Sequence, residues 1–131
     1  MTSKTIFTLI GIIHMLIGLA IIAMVSNFDV VINSWVSSAI SDDVKGLLIG
    51  QLRVIIVHSV GVGIIMWCCR NIENSVDIKR VFSGYVAFSF LALLNGFYAE
   101  FFGQGGPPLP VFVLLISASV LGCYGFFTNK V

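Results

Sequence analysis

The chain has 131 residues, of which 58% are apolar and only 10% are charged. Soluble domains average about 45–50% apolar and about 25% charged residues, so a small soluble domain could not cover this much apolar surface. The same composition excludes intrinsic disorder. Seven basic and six acidic residues form no basic footprint, which argues against nucleic acid as a partner. Three cysteines without a pairing pattern do not indicate a disulfide scaffold.

Four segments are long and apolar enough to cross the hydrocarbon core of a membrane, which takes about 20 residues of helix. They cover residues 6–25, 47–69, 81–102 and 109–127. Backbone groups in lipid must bond within their own segment, and these segments lack the strict alternation of barrel strands. The first segment exceeds the apolar part of a signal peptide and precedes no A-x-A site, so we expect it to be retained. The sequence predicts an all-α, four-transmembrane-helix bundle that forms one domain.

The segment between the first two apolar runs has a helical pattern of its own. Over residues 28–40, apolar side chains recur at helical spacing on one face, and serines and an asparagine occupy the other. This pattern predicts a short amphipathic helix at the outer membrane interface, anchored by Trp35. A loop helix packed across the mouth of the bundle would give the same periodicity, so both interpretations stay open.

The basic residues predict the orientation of the chain. In a model with four crossings, Lys45 and Arg53 fall near one side, and all other basic residues fall on the opposite side. That second group comprises Lys4, Arg70, Lys79, Arg80 and Lys130. Because cytoplasmic segments of membrane proteins carry the excess of Lys and Arg, both termini are expected in the cytoplasm.

Each apolar segment offers a polar side chain near its middle. His14, His58, Asn95 and Ser117 lie roughly 15, 18, 21 and 15 Å from the predicted cytoplasmic boundary, at 1.5 Å rise per residue. Polar groups at this depth are costly and require partners. These four residues are therefore the candidate ligand-binding set, and mutual hydrogen bonds that only hold the bundle together are the alternative.

Arg53 and Glu100 are the opposite charges within the second and third segments, both close to the outer boundary. A short inner loop joins these segments, so we expect them to be antiparallel neighbours with a structural ion pair between the two side chains. The alternative is that Arg53 extends to the outer headgroups while Glu100 is solvated.

Gln51-Leu52-Arg53 opens a segment that contains Gly61-Val62-Gly63, and a charged inner loop and a Gly/Pro-rich outer turn follow. This layout resembles that of the DoxX-like small four-helix bacterial membrane proteins, and the resemblance implies the inner (plasma) membrane of a bacterium as the expected location. DoxX itself implies a quinone-linked respiratory subunit, while the wider group is functionally mixed. The fourth segment carries Ser117 and Ser119 and no acidic residue. This difference argues against transferring a charged site from the resemblance to this chain.

No nucleotide loop, nucleophile elbow or zinc motif is present in the sequence, so no catalytic residue is predicted and an enzyme is not expected. The first functional hypothesis is a non-catalytic subunit or helper of a larger membrane assembly, with membrane lipids and another membrane protein or a second copy as partners. The second is a binder or carrier of a lipophilic molecule such as a lipid, quinone or pigment.

A third hypothesis concerns haem b. His14 and His58 lie on different helices at depths that differ by only about 3 Å, and histidine is the usual nitrogen ligand of haem iron. A porphyrin standing between these helices would be ligated from both sides, in an electron-transfer subunit. Two structural histidines bonded within the bundle are the alternative.

Overall fold

The computed structural model describes residues 1–29, 41–102 and 109–128, without the side chain of Glu100. Over these residues the chain forms four helices: α1 (Ser3–Ser26), α2 (Asp42–Cys69), α3 (Ser75–Phe101) and α4 (Leu109–Thr128). Each is long and apolar enough to cross a membrane. The predicted all-α architecture of four such helices is therefore confirmed. Of the predicted amphipathic helix at 28–40, only the first two residues are described, and Trp35 lies outside the described residues.

The first three helices begin earlier than the apolar segments that predicted them, because polar residues cap them. The side chain of Thr2 accepts a hydrogen bond from the backbone N–H of Thr5 at the start of α1. Ser41 caps α2 in the same way. Asn74 accepts from the N–H groups of two residues in the first turn of α3. Such caps satisfy N–H groups that have no partner within the helix, and a count of apolar residues does not detect them.

The helices alternate in direction, and α1 is the central one. Residues near the start of α1 pack with residues near the end of α2, and the same inverse order relates α3 to α4. The largest interfaces join α1 to α2, α1 to α4 and α3 to α4. Helix α3 reaches α1 through aromatic side chains, with the Phe7 and Phe82 rings stacked at 4.3 Å between centroids. At the opposite end of the bundle, Lys45 forms an ion pair of 3.0 Å with Asp29.

Glycines bring α1 and α2 into backbone contact. A Cβ atom on Gly11 would lie 3.1 Å from the carbonyl oxygen of Gly63, and a Cβ on Gly63 would lie equally close to the carbonyl oxygen of Gly11. Two turns along α1, a Cβ on Gly18 would lie 2.8 Å from a methyl group of Val60. Small residues of this kind are what allows membrane helices to approach closely. The glycines therefore fix the rotation of α1 and α2 against each other.

The α3–α4 interface uses the same device with aromatic partners. Gly125 lies against the ring of Phe82, and Gly122 lies against the ring of Tyr85. Both aromatic side chains are almost fully buried, at 0% and 3% exposure. Each ring fills the space that a side chain on α4 would otherwise occupy. At this interface, large side chains of α3 therefore pack against small residues of α4.

The outer surface of the bundle is strongly apolar. Leucine, isoleucine, valine and phenylalanine side chains are exposed on all four helices, including Leu19 at 60%, Val57 at 69% and Leu91 at 66%. A soluble protein rarely exposes a continuous apolar surface of this kind. The distribution matches a bundle whose surroundings are themselves apolar.

Replacing Gly125 with alanine should destabilise the bundle by about 1–3 kcal/mol, the usual cost of overpacking a closed core. The new Cβ would lie 2.6–2.8 Å from three Phe82 ring atoms, and that ring cannot move because it is stacked on Phe7. Unfolding in mixed detergent micelles measures the change. Gly84→Ala is the matched control, since nothing lies within 4 Å of its added methyl group. Equal stability of the two variants would contradict this packing.

Candidate functional site

The most distinctive polar feature inside the bundle is a hydrogen bond between His14 of α1 and Tyr85 of α3. The His14 Nε2 atom lies 2.9 Å from the Tyr85 hydroxyl, and both side chains are 3% exposed. The two rings meet edge to face at a centroid distance of 5.7 Å. This bond connects two helices that share little backbone contact. It is therefore a specific polar link within an otherwise apolar core.

The second nitrogen of His14 has no partner. Nδ1 is completely enclosed and makes no hydrogen bond to any residue that the structure describes. If Tyr85 donates its proton to Nε2, a neutral His14 carries its own proton on Nδ1 as an unpaired donor. If Nε2 donates instead, both Nδ1 and the phenolic proton are left without partners. In either state the pair retains an unused hydrogen-bonding group, which stabilises the fold less than a fully satisfied network would.

An aromatic side chain, Phe88, and a small polar one, Ser89, lie near the His14–Tyr85 pair. The ring of Phe88 lies 6.5 Å from that of His14, measured between centroids. Ser89, one turn beyond Tyr85, directs its hydroxyl to the carbonyl oxygen of Val86. His14 and Tyr85 therefore act as hydrogen-bond donor and acceptor to each other, and both are buried among packed side chains.

The other three predicted midplane residues lie on the outside of the bundle. His58, Asn95 and Ser117 are all exposed. The Nδ1–H group of His58 donates to the carbonyl oxygen of Val54 at 2.8 Å, one turn back along the same helix. The Ser117 hydroxyl donates in the same way to Val113. The structure therefore brings none of these three side chains to the His14–Tyr85 pair.

The positions of His14 and His58 argue against haem ligation by both residues. His14 directs one nitrogen to Tyr85, while His58 is anchored to its own helix on the exposed side. The proposed space between α1 and α2 is closed by the contact of Gly11 with Gly63. As placed, the two imidazoles do not form a bis-histidine site between these helices.

The described surface includes a depression of about 250 Å³ between α1 and α2, lined by apolar side chains and glycines, among them Met15, Gly63 and Trp67. A larger one, of about 870 Å³, is open and is lined by residues of the second half of α3, including Asn95, and by Phe102, which follows α3. Neither is lined by His14, His58 or Ser117. The lipophilic-binding set proposed from the sequence therefore does not surround one common space, and ligand binding stays a prediction.

The predicted ion pair of Arg53 with Glu100 also stays a prediction, because the Glu100 side chain lies outside the described residues. Arg53 is exposed, and no ion pair involving it occurs among the described side chains. The helices α2 and α3, expected to be neighbours, share only marginal backbone contact. Side chains of both helices near the connection at residues 70–74, among them Met66 and Ile78, belong to one core cluster.

Sequence reasoning missed Tyr85, although a signal was available. Tyr85 lies four residues into the third apolar segment, about 6 Å from its start. The hydroxyl of a buried tyrosine usually finds a hydrogen-bond partner, which makes Tyr85 a candidate partner for a histidine on a neighbouring helix. A count of apolar residues includes tyrosine and therefore does not detect this hydroxyl.

Tyr85→Phe should destabilise the bundle by about 1–2 kcal/mol, because it leaves both ring nitrogens of His14 buried without partners. Adding His14→Phe should recover part of that loss, since removing both polar groups costs less than removing one. Unfolding of the two single variants and the double variant gives the coupling energy of the pair. Tyr124→Phe, at an exposed tyrosine, is the control. Additive effects of the two substitutions would contradict the bond.

The chain was also compared with protein-family models, with curated proteins and with solved structures, and no significant match was found. The resemblance to DoxX-like proteins accordingly stays a prediction based on layout.

Proposed function

We propose that this chain is a non-catalytic subunit or helper of a larger assembly in a membrane. The observation that carries the proposal is the outward placement of His58 and Asn95 on helices that are long and apolar enough to span a bilayer. Ionisable side chains within membrane helices are rare, and they almost always face the interior of a bundle or a water-filled cavity, or pair with another polar group or a backbone carbonyl. Here they face away from their own bundle.

His58 and Asn95 differ from Ser117, which is also exposed near the middle of its helix. The Ser117 hydroxyl is satisfied by its own helix through Val113. Asn95 makes no side-chain hydrogen bond within the described part of the chain, and the Nε2 atom of His58 likewise has no partner there. An amide or imidazole nitrogen left unpaired in hydrocarbon costs several kcal/mol. A neighbouring protein that supplies hydrogen-bonding groups removes this cost.

The orientation follows from the ends of the helices. The alternating directions put Lys4, Arg70, Lys79 and Arg80 at one end of the bundle and Lys45 at the other. The Trp67 ring, covered by the Arg70 guanidinium at 4.0 Å, lies near the basic end, where aromatic side chains typically meet the membrane surface. We infer that both termini face the cytoplasm and that the membrane is the inner membrane of a bacterium.

Gentle extraction from native membranes should yield this chain in a reproducible complex larger than its 14.2 kDa monomer. Replacing both His58 and Asn95 with leucine should release a folded monomer, because the polar groups that require a partner are gone. Native gel electrophoresis and mass determination of the complex provide the measurement. Ser117→Ala is the control and should leave the complex intact. A chain that is solely monomeric in native membranes would overturn the proposal.

The haem alternative has its own test. Protein purified from cells supplied with haem should show no Soret absorption band, because the His14 ring is engaged by Tyr85 and does not face His58. An absorption spectrum of the folded, monodisperse protein decides this point. A Soret band that is lost in both His14→Ala and His58→Ala would instead establish bis-histidine ligation.

A further inference from the structure

We propose that the joint face of α2 and α3 binds a second copy of this chain, with His58 of each copy accepting a hydrogen bond from Asn95 of the other. This inference rests on the proposed function, since it names the partner that covers these two side chains. The tautomer of His58, the depth of both residues and their position on one side of the bundle support this pairing.

The hydrogen bond to Val54 determines what His58 offers to a partner. A carbonyl oxygen only accepts, so Nδ1 must carry the proton of the 2.8 Å bond. In the neutral imidazole, Nε2 is then an unprotonated acceptor. It requires a donor from outside the bundle. Two His58 side chains facing each other would present two acceptors and would not bond.

Asn95 supplies the missing chemistry. Its side-chain amide has two N–H donors and one acceptor, and none of them is used within the described residues. It lies on the exposed surface of α3 among large apolar side chains, including Leu94 and Tyr98. A donor and an acceptor that complement each other are therefore present on the surface of the same chain.

Contacts inside the bundle place the two residues at similar depth. His58 lies five residues from Gly63, about 7.5 Å beyond the level where Gly63 meets Gly11. The stacked rings put Phe82 level with Phe7, which lies one turn before Gly11. Asn95 lies thirteen residues beyond Phe82. Measured from the level where Gly11 meets Gly63, the Cα atom of Asn95 is therefore about 13.5 Å further along the bundle. Side chains lean toward the N-terminus of their helix. Because α2 and α3 run in opposite directions, this lean reduces the remaining difference of about 6 Å.

His58 and Asn95 both lie beside the line along which α2 and α3 adjoin, called the seam below. His58 is one turn from Val62, which packs against the core cluster that α2 shares with α3. Asn95 is two turns from Phe88, whose ring lies beside His14. Helices α2 and α3 have only marginal backbone contact, so this side of the bundle is not closed by its own chain. The added methyl group of an alanine at Gly61, one turn from His58, would meet nothing within 4 Å. An incoming helix can therefore approach α2 closely.

A donor and an acceptor on one face favour a second copy over another partner. In a two-fold symmetric dimer, a contact of residue i with residue j is always repeated as j with i. One compatible pair of side chains therefore gives two hydrogen bonds across the interface. An unrelated partner helix would need its own donor and acceptor at matching positions.

Cysteine cross-linking tests the pairing. In a background with Cys68, Cys69 and Cys123 replaced by serine, two differently tagged copies are co-expressed, one carrying His58→Cys and the other Asn95→Cys. Oxidation in native membranes should form a disulfide between the two differently tagged copies. The yield of this cross-link should exceed the yield between two His58→Cys copies. Ser117→Cys copies are the matched control for random collision. Linkage at 58–95 no stronger than in the Ser117→Cys control would overturn the proposal.

The association equilibrium gives an independent readout. In lipid nanodiscs or detergent, Asn95→Leu should raise the dimer dissociation constant at least about tenfold, since each dimer loses two interhelical hydrogen bonds. Ser117→Ala should leave the constant unchanged. A complex that contains a different protein at His58 and Asn95 would overturn the second-copy inference and leave the proposed function standing. A monomer without any partner in native membranes would overturn both.

Discussion

The backbone contact of Gly11 with Gly63 determines which side chains this bundle can bring together. With no Cβ on either residue, α1 and α2 touch, and their rotation about their own axes is fixed. At 100° per residue, His58 is rotated by about 140° from Gly63 and so points away from α1. His14 is rotated by only about 60° from Gly11 and lies beside the contact, where it meets Tyr85 of α3. One steric contact thus separates two histidines that share nearly the same depth.

The sequence predicts depth well and rotation poorly, and the reason is physical. Rise per residue is constant in a helix, so the level of His58 or Asn95 follows from counting. Rotation is normally read from an apolar stripe, but these helices are apolar on all sides. Leu19 and Val57 are exposed while Ile17 and Met66 are buried, although all four are apolar. Helices of this kind carry little signal about which face is inside.

The apolar pattern of the sequence does not show where the helices start or that His14 bonds to Tyr85. The reason is related, since both features depend on small polar groups. Caps at Thr2, Ser41 and Asn74 extend the helices past the apolar runs. The Tyr85 hydroxyl is a single polar atom on a side chain that is otherwise apolar. By contrast, the four-helix architecture depends on long apolar runs, and the structure confirms it.

Two sets of polar side chains differ in their surroundings, and we propose different roles for them. His14 and Tyr85 are enclosed, so their bond contributes to the stability of a single bundle. His58 and Asn95 belong to α2 and α3, which residues 70–74 hold together at one end, yet neither side chain bonds the other within one copy. If these two groups served only the fold of the monomer, they would be expected to close the seam between their helices. They remain exposed with complementary hydrogen-bonding groups, which is the arrangement required for association between copies.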